Sequence, residues 1–310
     1  MAVLDVKDKR ILSCLLRDCR QTNTQIAKKC GVSREVVSYR IALLEKEGVI
    51  TGYTSDINFN NLGYIAYSLG IVLKNVPKEK LLLLKRRDRI VYLQTTMGRF
   101  SLTCTIVIKD PKELMAEYDF IVALFENEIL EINSDIFIGD IDFSASMFEV
   151  QNVESNFLPQ QIVQISDVDK KILKELVLDS RQTIVELHKK LGTSIPTIAK
   201  SIKELKSNNV ILANRVLIDF SKIDLHRYTI LMFASPTIEK KLIQYCKQNR
   251  KIWDIGKYCG TYNYVVELFA RDNVEFDSII NSLKNSFKDD IFRMDVLLVS
   301  SELKREYFYL

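Results

Sequence analysis

Arginine and hydroxyl side chains share one face of a predicted helix between residues 33 and 44. Apolar residues recur at helical spacing from Val36 to Leu44 and predict that the other face is buried. An arginine fork can donate to a guanine edge, and serine or tyrosine hydroxyls can contact a phosphate or a base. The polar face therefore suits contact with duplex DNA, although many such faces only meet water. Its candidate residues are Ser33, Arg34, Glu35, Ser38, Tyr39 and Arg40.

A second stretch, from Ser194 to Leu205, repeats this arrangement with different polar residues. Ile195 stands where the first stretch has Arg34, and Lys200 stands where it has Tyr39. This face is therefore expected to contact phosphates more than bases. Its candidate residues are Ser194, Thr197, Lys200, Ser201 and Lys203. Four lysines on the preceding predicted helices are further candidates for phosphate contacts: Lys28, Lys29, Lys189 and Lys190.

The positive charge of the chain is concentrated around these two stretches. Residues 1–57 carry 10 basic against 7 acidic residues, and residues 166–218 carry 10 against 6. The net charge of the whole chain is only +4, so the remaining residues are acidic overall. Local positive charge of this kind attracts a polyanion, but it also occurs on ordinary solvated helices.

The sequence repeats itself when it is shifted by 161 residues. The run Asp8–Leu12 then matches Asp169–Leu173, and Arg20–Thr22 matches Arg181–Thr183 without a gap. Similarity continues beyond these segments, with an offset of 162 at the glycine of a later hairpin. The chain therefore contains two tandem copies of one two-domain unit.

Each copy opens with three predicted helices. In copy one, Gly31 is placed to end the second helix in the left-handed conformation, and Ser33 is placed to cap the third. A tight turn containing glycine between two helices is typical of a helix-turn-helix. The next stretch, Val49–Ile57, is rich in β-forming residues and is expected to form a wing.

Each copy continues with predicted strands and helices in the order βαββαβ, which is the ferredoxin-like arrangement. The predicted fold class is therefore α+β, with two copies of a winged helix-turn-helix domain followed by a ferredoxin-like βαββαβ domain. The expected winged helix-turn-helix domains are 1–60 and 166–221, the ferredoxin-like sensing and assembly domains are 61–143 and 222–310, and the linker is 144–165.

The sequence argues against several other classes of protein. No stretch reaches the roughly 18 consecutive apolar residues that a membrane helix needs, and the N-terminus becomes charged at Asp5. The six cysteines include no C-x-x-C pair, so neither a zinc site nor a disulfide framework is supported. We therefore expect a cytoplasmic protein that binds no membrane, metal or cofactor.

Several short motifs of copy one carry a family resemblance: Asp8-Lys9-Arg10-Ile11-Leu12, Ile26-Ala27-Lys28-Lys29, Gly31-Val32-Ser33, Val36-Val37-Ser38-Tyr39-Arg40-Ile41, Leu44-Glu45-Lys46-Glu47-Gly48-Val49-Ile50 and Gly52-Tyr53. Together they resemble the DNA-binding half of the Lrp/AsnC family, the feast/famine transcription regulators. The resemblance is strong over copy one and weaker over copy two, and together they span nearly the whole chain. It implies a ligand-sensing domain after the winged helix-turn-helix, dimers joined through their sheets, larger rings and tuning by amino acids. Most members carry one copy, so this chain resembles a covalent pair of subunits.

The sensing half departs from the family at one hairpin. Members tend to carry Gly, two variable residues and then Asp after the second strand of this domain, and Ser101 and Asn263 stand at the Asp position here. An ammonium group would therefore lose its carboxylate partner, which argues against amino-acid sensing. An amino acid or other small-molecule effector would be expected at these hairpins, although simple β-turns are the plainer explanation. The candidate residues are Gly98, Arg99, Ser101, Gly260, Thr261 and Asn263.

The leading hypothesis is a sequence-specific regulator that binds double-stranded DNA, is not an enzyme and forms a homo-oligomer of tandem chains. An alternative is a siroheme (tetrapyrrole) decarboxylase, because those enzymes resemble paired Lrp/AsnC units. Their chemistry is expected to use histidine and arginine, and the chain offers only His188 and His226, in positions that favour structural roles. A third hypothesis is a degenerate regulator that has lost DNA binding.

Overall fold

The computed structural model describes residues 2–148 and 161–305, and it confirms the α+β fold class and the repeated order of elements. Copy one contains α1 (Val6–Arg17), α2 (Asn23–Cys30), α3 (Arg34–Lys46), β1 (Ile50–Ile57), β2 (Ile65–Leu73), α4 (Lys78–Lys85), β3 (Ile90–Gly98), β4 (Leu102–Ile108), α5 (Pro111–Phe125) and β5 (Ile129–Asp142). Copy two contains α6 (Asp167–Leu178), α7 (Ile184–Leu191), α8 (Ile195–Ser207), β6 (Ile211–Ile218), β7 (His226–Ala234), α9 (Glu239–Gln248), β8 (Ile252–Cys259), β9 (Tyr264–Ala270), α10 (Asn273–Ser286) and β10 (Ile291–Arg305).

Local capping sets the ends of the helix-turn-helix elements. Thr22 and Gln25 form a capping box at the start of α2, so each satisfies a backbone amide that the helix leaves unpaired. Gly31 ends α2 with φ of 67°, a left-handed conformation that favours glycine. Ser33 then accepts the amide of Val36 and begins α3. Copy two uses the same devices, which fixes the turn between the second and third helices in both copies.

Strand β1 pairs with strand β6 of the other copy. The antiparallel register runs from Ile50 opposite Ile218 to Ile57 opposite Ile211, and these two strands form a sheet of their own. The stretch expected to form a wing is therefore one extended strand rather than a local hairpin. Gly52 does not reverse the chain but lies opposite Leu217, so the hydrogen bonds of the strand are made to the other copy.

The exchanged strands complete the cores of the helix-turn-helix units. Val216 of β6 is buried in the cluster formed by the helices of copy one, beside residues such as Leu12. Ile57 of β1 is buried in the cluster of copy two, beside residues such as Ile172. Each helix-turn-helix unit therefore buries apolar surface that belongs to the other copy, and neither core is complete without that strand.

The two ferredoxin-like units join into one closed sheet. Its strand order is β10-β3-β4-β2-β5-β8-β9-β7, in which β3, β4, β2 and β5 come from copy one. The seams between the copies are the antiparallel pairs β5 with β8 and β10 with β3. Alternate residues of the strands, such as Leu69 and Ile71, face helices α4 and α5, and the matching residues of copy two face α9 and α10. The last strand of each copy thus closes the sheet of the other.

The start of the expected linker packs against copy one. The Ser13 hydroxyl donates to the Ala145 carbonyl oxygen at 2.6 Å, and Phe148 contacts the core of the first helix-turn-helix. Residues 149–160 of the expected linker 144–165 lie outside the described residues. Within the part of the chain that the structure describes, every helix is too short or too polar to cross a membrane.

A half-buried arginine joins the β1–β6 sheet to the end of β5. The guanidinium of Arg215 on β6 pairs with Asp56 on β1 and contacts the Asp142 carboxylate at 2.7 Å and the Ser144 hydroxyl at 2.8 Å. The Arg215 side chain is only 16% exposed, so solvent screens these contacts weakly. This network connects the helix-turn-helix region to the larger sheet.

Replacing Arg215 by methionine should destabilise the protein, because Asp56 and Asp142 would be left with partly buried and uncompensated charge. We expect R215M to lower the free energy of unfolding by about 3 kcal/mol. Chemical denaturation measures this loss. The control R271M removes the surface pair of Arg271 with Glu275, and we expect little change. Equal effects of the two substitutions would contradict this role for Arg215.

Candidate nucleic-acid interface

The outer face of α3 is open to solvent. Val37, Ile41 and Leu44 are buried on the inner face, as the spacing predicts, and Val36 is half-buried. Tyr39 is 68% exposed, so its ring and hydroxyl are open to a partner. The exposed predicted residues on and before this helix are Ser33, Arg34, Glu35, Ser38 and Tyr39.

Arg40 does not belong to this open face. Its Nη1 atom lies 2.7 Å from carboxylate oxygens of both Asp5 and Asp8, and its side chain is 22% exposed. The hydrogen bond to Asp8 raises the pKa of the Arg40 guanidinium. Arg40 has a structural role, because its donors already bind Asp8 on α1 and Asp5 at the N-cap of α1, and its contact with DNA stays a prediction. Arg40 clamps α3 onto the first helix.

In copy two, a smaller side chain joins the third helix, α8, to the first helix, α6. Ser201 matches Arg40, is 6% exposed and donates its hydroxyl to the Asp169 carboxylate. Asp169 matches Asp8, and both acidic residues stand at the third position of a capping box. Ser201 thus joins α8 to α6, and its contact with DNA stays a prediction. The matching acids were visible in the repeat, but their partners became evident only in the folded chain.

The remaining predicted residues of α8 are exposed. Ser194 accepts the Thr197 amide as the N-cap of α8. Lys200 lies 3.8 Å from Glu204 in a surface pair, and Lys203 points away from the core. Compared with α3, this face lacks both the arginine fork and the tyrosine. It offers hydroxyl groups and ammonium groups, which suit phosphates.

The four predicted lysines of the second helices lie in the last turns of α2 and α7 and are exposed. Lys29 donates to Gln21, and Lys190 lies 2.8 Å from a Glu175 carboxylate oxygen. Lys28 and Lys189 are exposed as well. All four ammonium groups stay at the surface, where a polyanion can reach them.

The six predicted effector residues lie in two hairpins that meet through Phe100 and Tyr262, whose ring centroids are 6.5 Å apart. In copy one, a Cβ atom at Gly98 would lie 2.2 Å from the Val296 carbonyl oxygen, so only glycine fits. Arg99 pairs with Glu131, and the Ser101 hydroxyl bonds to the Leu73 backbone. The Arg99 Nη2 atom and the Ser101 hydroxyl are thus used by the fold, whereas the buried Arg99 Nε has no hydrogen-bond partner among the described residues.

The hairpin of copy two is capped by a carboxylate from copy one. Asp135 on β5 accepts hydrogen bonds from the amides of Thr261 and Tyr262, and the Thr261 hydroxyl donates to Asn133. Asn263 bonds through its side chain to the amide and carbonyl of Ala234. Sequence reasoning missed Asp135, because 126 residues separate it from Thr261 and no local pattern connects them.

The two histidines and the acidic side chains of the described residues are the other candidates for catalysis or metal binding. The His188 ring bonds through Nδ1 to the Thr193 carbonyl oxygen at 2.8 Å, and His226 is an exposed residue at the start of β7. Among the residues that the structure describes, no cluster of three or more His, Cys, Asp or Glu side chains is arranged to hold a metal ion. A surface cavity of about 270 Å³ lies beside α10 and β10, lined by Phe287, Phe292 and neighbouring residues.

Comparison with known proteins supports the helix-turn-helix assignment. The family model described as "Winged helix-turn-helix DNA-binding" matches residues 4–51 and 165–211, one match in each copy. The chain is 34% identical over 114 residues to the HTH-type transcriptional regulator Ptr1 of Methanocaldococcus jannaschii, covering 36% of this chain and 77% of Ptr1. It is also 34% identical over 116 residues to the HTH-type transcriptional regulator LrpA of Pyrococcus abyssi, covering 36% of this chain and 81% of LrpA.

A solved structure resembles both copies at once. The crystal structure of the siroheme decarboxylase NirDL covers 98% of this chain, and this chain covers 94% of it, with a TM-score of 0.60. The sequence identity is 13%, so this likeness shows the fold alone. The motifs of copy one and the extent of the match to LrpA give the family: the chain belongs to the Lrp/AsnC family.

Proposed function

We propose that this protein is a DNA-binding transcriptional regulator that recognises a specific sequence in double-stranded DNA as an internal pseudo-dimer. The observation that carries the proposal is the solvent-exposed outer face of α3, on which Arg34 and Tyr39 stand in a family-typical helix-turn-helix frame. Ptr1 and LrpA are themselves named transcriptional regulators. Arg34 would donate to a base edge, while Ser33 and Ser38 would position the helix on phosphates.

The two copies would contact DNA in different ways. Helix α3 carries the groups that discriminate bases, whereas α8 carries Lys200, Lys203 and Thr197, which suit the backbone. Helix-turn-helix pairs place their third helices in successive major grooves about 34 Å apart. One chain would therefore prefer an asymmetric site, and association of two chains would restore a palindrome.

Effector binding and catalysis are not part of this proposal. Most polar side chains of the two hairpins bond within the fold, as Ser101 and Asn263 illustrate. The likeness to siroheme decarboxylase rests on 13% identity, and His188 is bonded to a nearby backbone carbonyl. A regulator without an enzymatic reaction agrees better with the matched relatives.

Binding to DNA should weaken steeply as salt rises, because lysine contacts to phosphates release counterions. We expect the logarithm of the affinity to fall linearly with the logarithm of the salt concentration, with a slope of about −0.9 for each phosphate contact. Gel shifts on genomic fragments across a salt series measure this, and footprinting then locates the site. No retardation at low salt would overturn the proposal.

Absorbance titration with an iron tetrapyrrole tests the enzyme hypothesis. Binding of the tetrapyrrole would favour that hypothesis, and no change in absorbance would argue against it.

Substituting Arg34 should reduce base discrimination. R34A is expected to lose about 5- to 100-fold of the preference at one base pair, as loss of a bidentate contact to guanine implies. R34K is the matched control, because lysine keeps the charge but not the fork, and it should keep the salt dependence while losing the preference. Affinity measurements on operators with single base changes test this. A preference that both variants retain in full would contradict base contact by Arg34.

Substituting Arg40 should change stability rather than base preference. R40A breaks the ion pairs with Asp5 and Asp8, so we expect the unfolding midpoint to fall by about 2–4 °C in the absence of DNA. R34A should leave the midpoint unchanged because Arg34 is exposed. Calorimetry on both variants makes the comparison. If R40A altered base preference and left stability intact, Arg40 would be a DNA contact after all.

A further inference from the structure

An arginine of copy two is connected to the candidate DNA-binding helix of copy one through side chains of neighbouring elements. Arg181 precedes α7, and its Nη2 atom donates to Asn23 Oδ1 at 3.4 Å. Asn23 is the first residue of α2, and its Nδ2 atom donates to the Ser38 hydroxyl on α3 at 2.8 Å. Two successive hydrogen bonds therefore connect copy two to the outer face of α3.

The same guanidinium makes a second connection to α3. Arg181 Nη1 donates to the Tyr53 hydroxyl at 3.2 Å, and the guanidinium lies 4.9 Å from the centre of the Tyr53 ring. The Tyr53 hydroxyl donates in turn to a Glu45 carboxylate oxygen at 2.6 Å. Glu45 lies near the end of α3, whereas Ser38 lies in its first half. Arg181 is thus connected to two separated points of the helix, through Asn23 and through Tyr53.

Copy two has no equivalent of this connection. At an offset of 161, the positions of Asn23, Ser38, Glu45 and Tyr53 hold aliphatic, amide or lysine residues that cannot form the same chain. These residues are Ile184, Ala199, Lys206 and Asn214. Arg20, which matches Arg181, donates instead to the Ser180 backbone carbonyl. The connection therefore runs in one direction only, from copy two to α3.

We propose that Arg181 is a positioning residue, through which copy two sets the orientation of α3 and so makes base discrimination by copy one dependent on copy two. This inference rests on the proposed function, because its consequence is sequence preference. Hydrogen bonds to base edges tolerate only a few tenths of an ångström in distance and a limited range of angle. A helix held at both Ser38 and Glu45 would keep Arg34 and Tyr39 in register with the groove, whereas α8 would contact phosphates without such a constraint.

The test compares R181A with R20A, a matched control that removes the equivalent arginine of copy one. We expect R181A to weaken binding to the specific site about three- to tenfold, with unchanged salt slope and unchanged affinity for unrelated DNA. R20A should leave the preference between the two DNAs intact. R181K, which keeps the cation over the Tyr53 ring but has no fork, should lie between R181A and the native protein.

A double substitution separates positioning from direct contact. If Arg181 acts through Asn23, the effects of R181A and N23A on specific affinity will not add. A loss of about 0.9 in the salt slope would mean that Arg181 binds a phosphate itself, which would overturn the proposal. Unchanged specific affinity in R181A, or equal losses in R181A and R20A, would overturn it as well.

Amide hydrogen exchange of the free protein keeps this inference separate from the proposed function. R181A should speed exchange in α2 and α3 relative to R20A, while α8 is unaffected. If the native protein retards no DNA, the proposed function fails whatever the exchange rates are. If exchange in α3 is the same in R181A and the native protein, the connection does not hold the helix, even where DNA binding is intact.

Discussion

The antiparallel pairing of β1 with β6 is the interaction on which the rest of the arrangement depends. Each strand contributes to the core of its own copy and also buries an apolar side chain, Ile57 or Val216, in the core of the other. The pairing fixes the two helix-turn-helix units relative to each other, because a slip of one residue would turn every buried side chain of the strand to the wrong face. The closed sheet of eight strands joins the two ferredoxin-like units to each other. The network around Arg215 then connects the β1–β6 sheet to them.

The charged residues of the helix-turn-helix units divide into two groups with different tasks. Arg40 and Arg181 donate to oxygen atoms of the protein. Arg40 pairs with Asp5 and Asp8 at the start of α1, and Arg181 donates to Asn23 and Tyr53. Arg34 and the lysines of α2 and α7 are exposed, and two of these lysines, Lys29 and Lys190, also bond to protein oxygens. A count of basic residues therefore does not show which of them bond within the protein, and the bonded arginines hold the elements that carry the exposed ones.

The sequence alone was sufficient for the repeat, the helix-turn-helix elements and the βαββαβ order, because caps, glycines and apolar spacing are local signals. It could not supply the partner of β1, since the strand has the same local pattern whether it folds back or pairs with residues far along the chain. The roles of Arg40, Ser201 and Asp135 were missed for the same reason. The matched Asp8 and Asp169 hinted at a shared contact, but a face of polar residues does not reveal which of them point inward.

The exchange of strands within one polypeptide also changes how the two halves respond to concentration. Separate subunits that trade strands come apart on dilution, whereas halves tethered by a short segment face each other at a high effective concentration that does not depend on the amount of protein. Each half can also change by substitution without altering the other, as the different outer faces of α3 and α8 illustrate. A scarce protein of this design would keep its paired geometry at copy numbers where an ordinary dimer would fall apart.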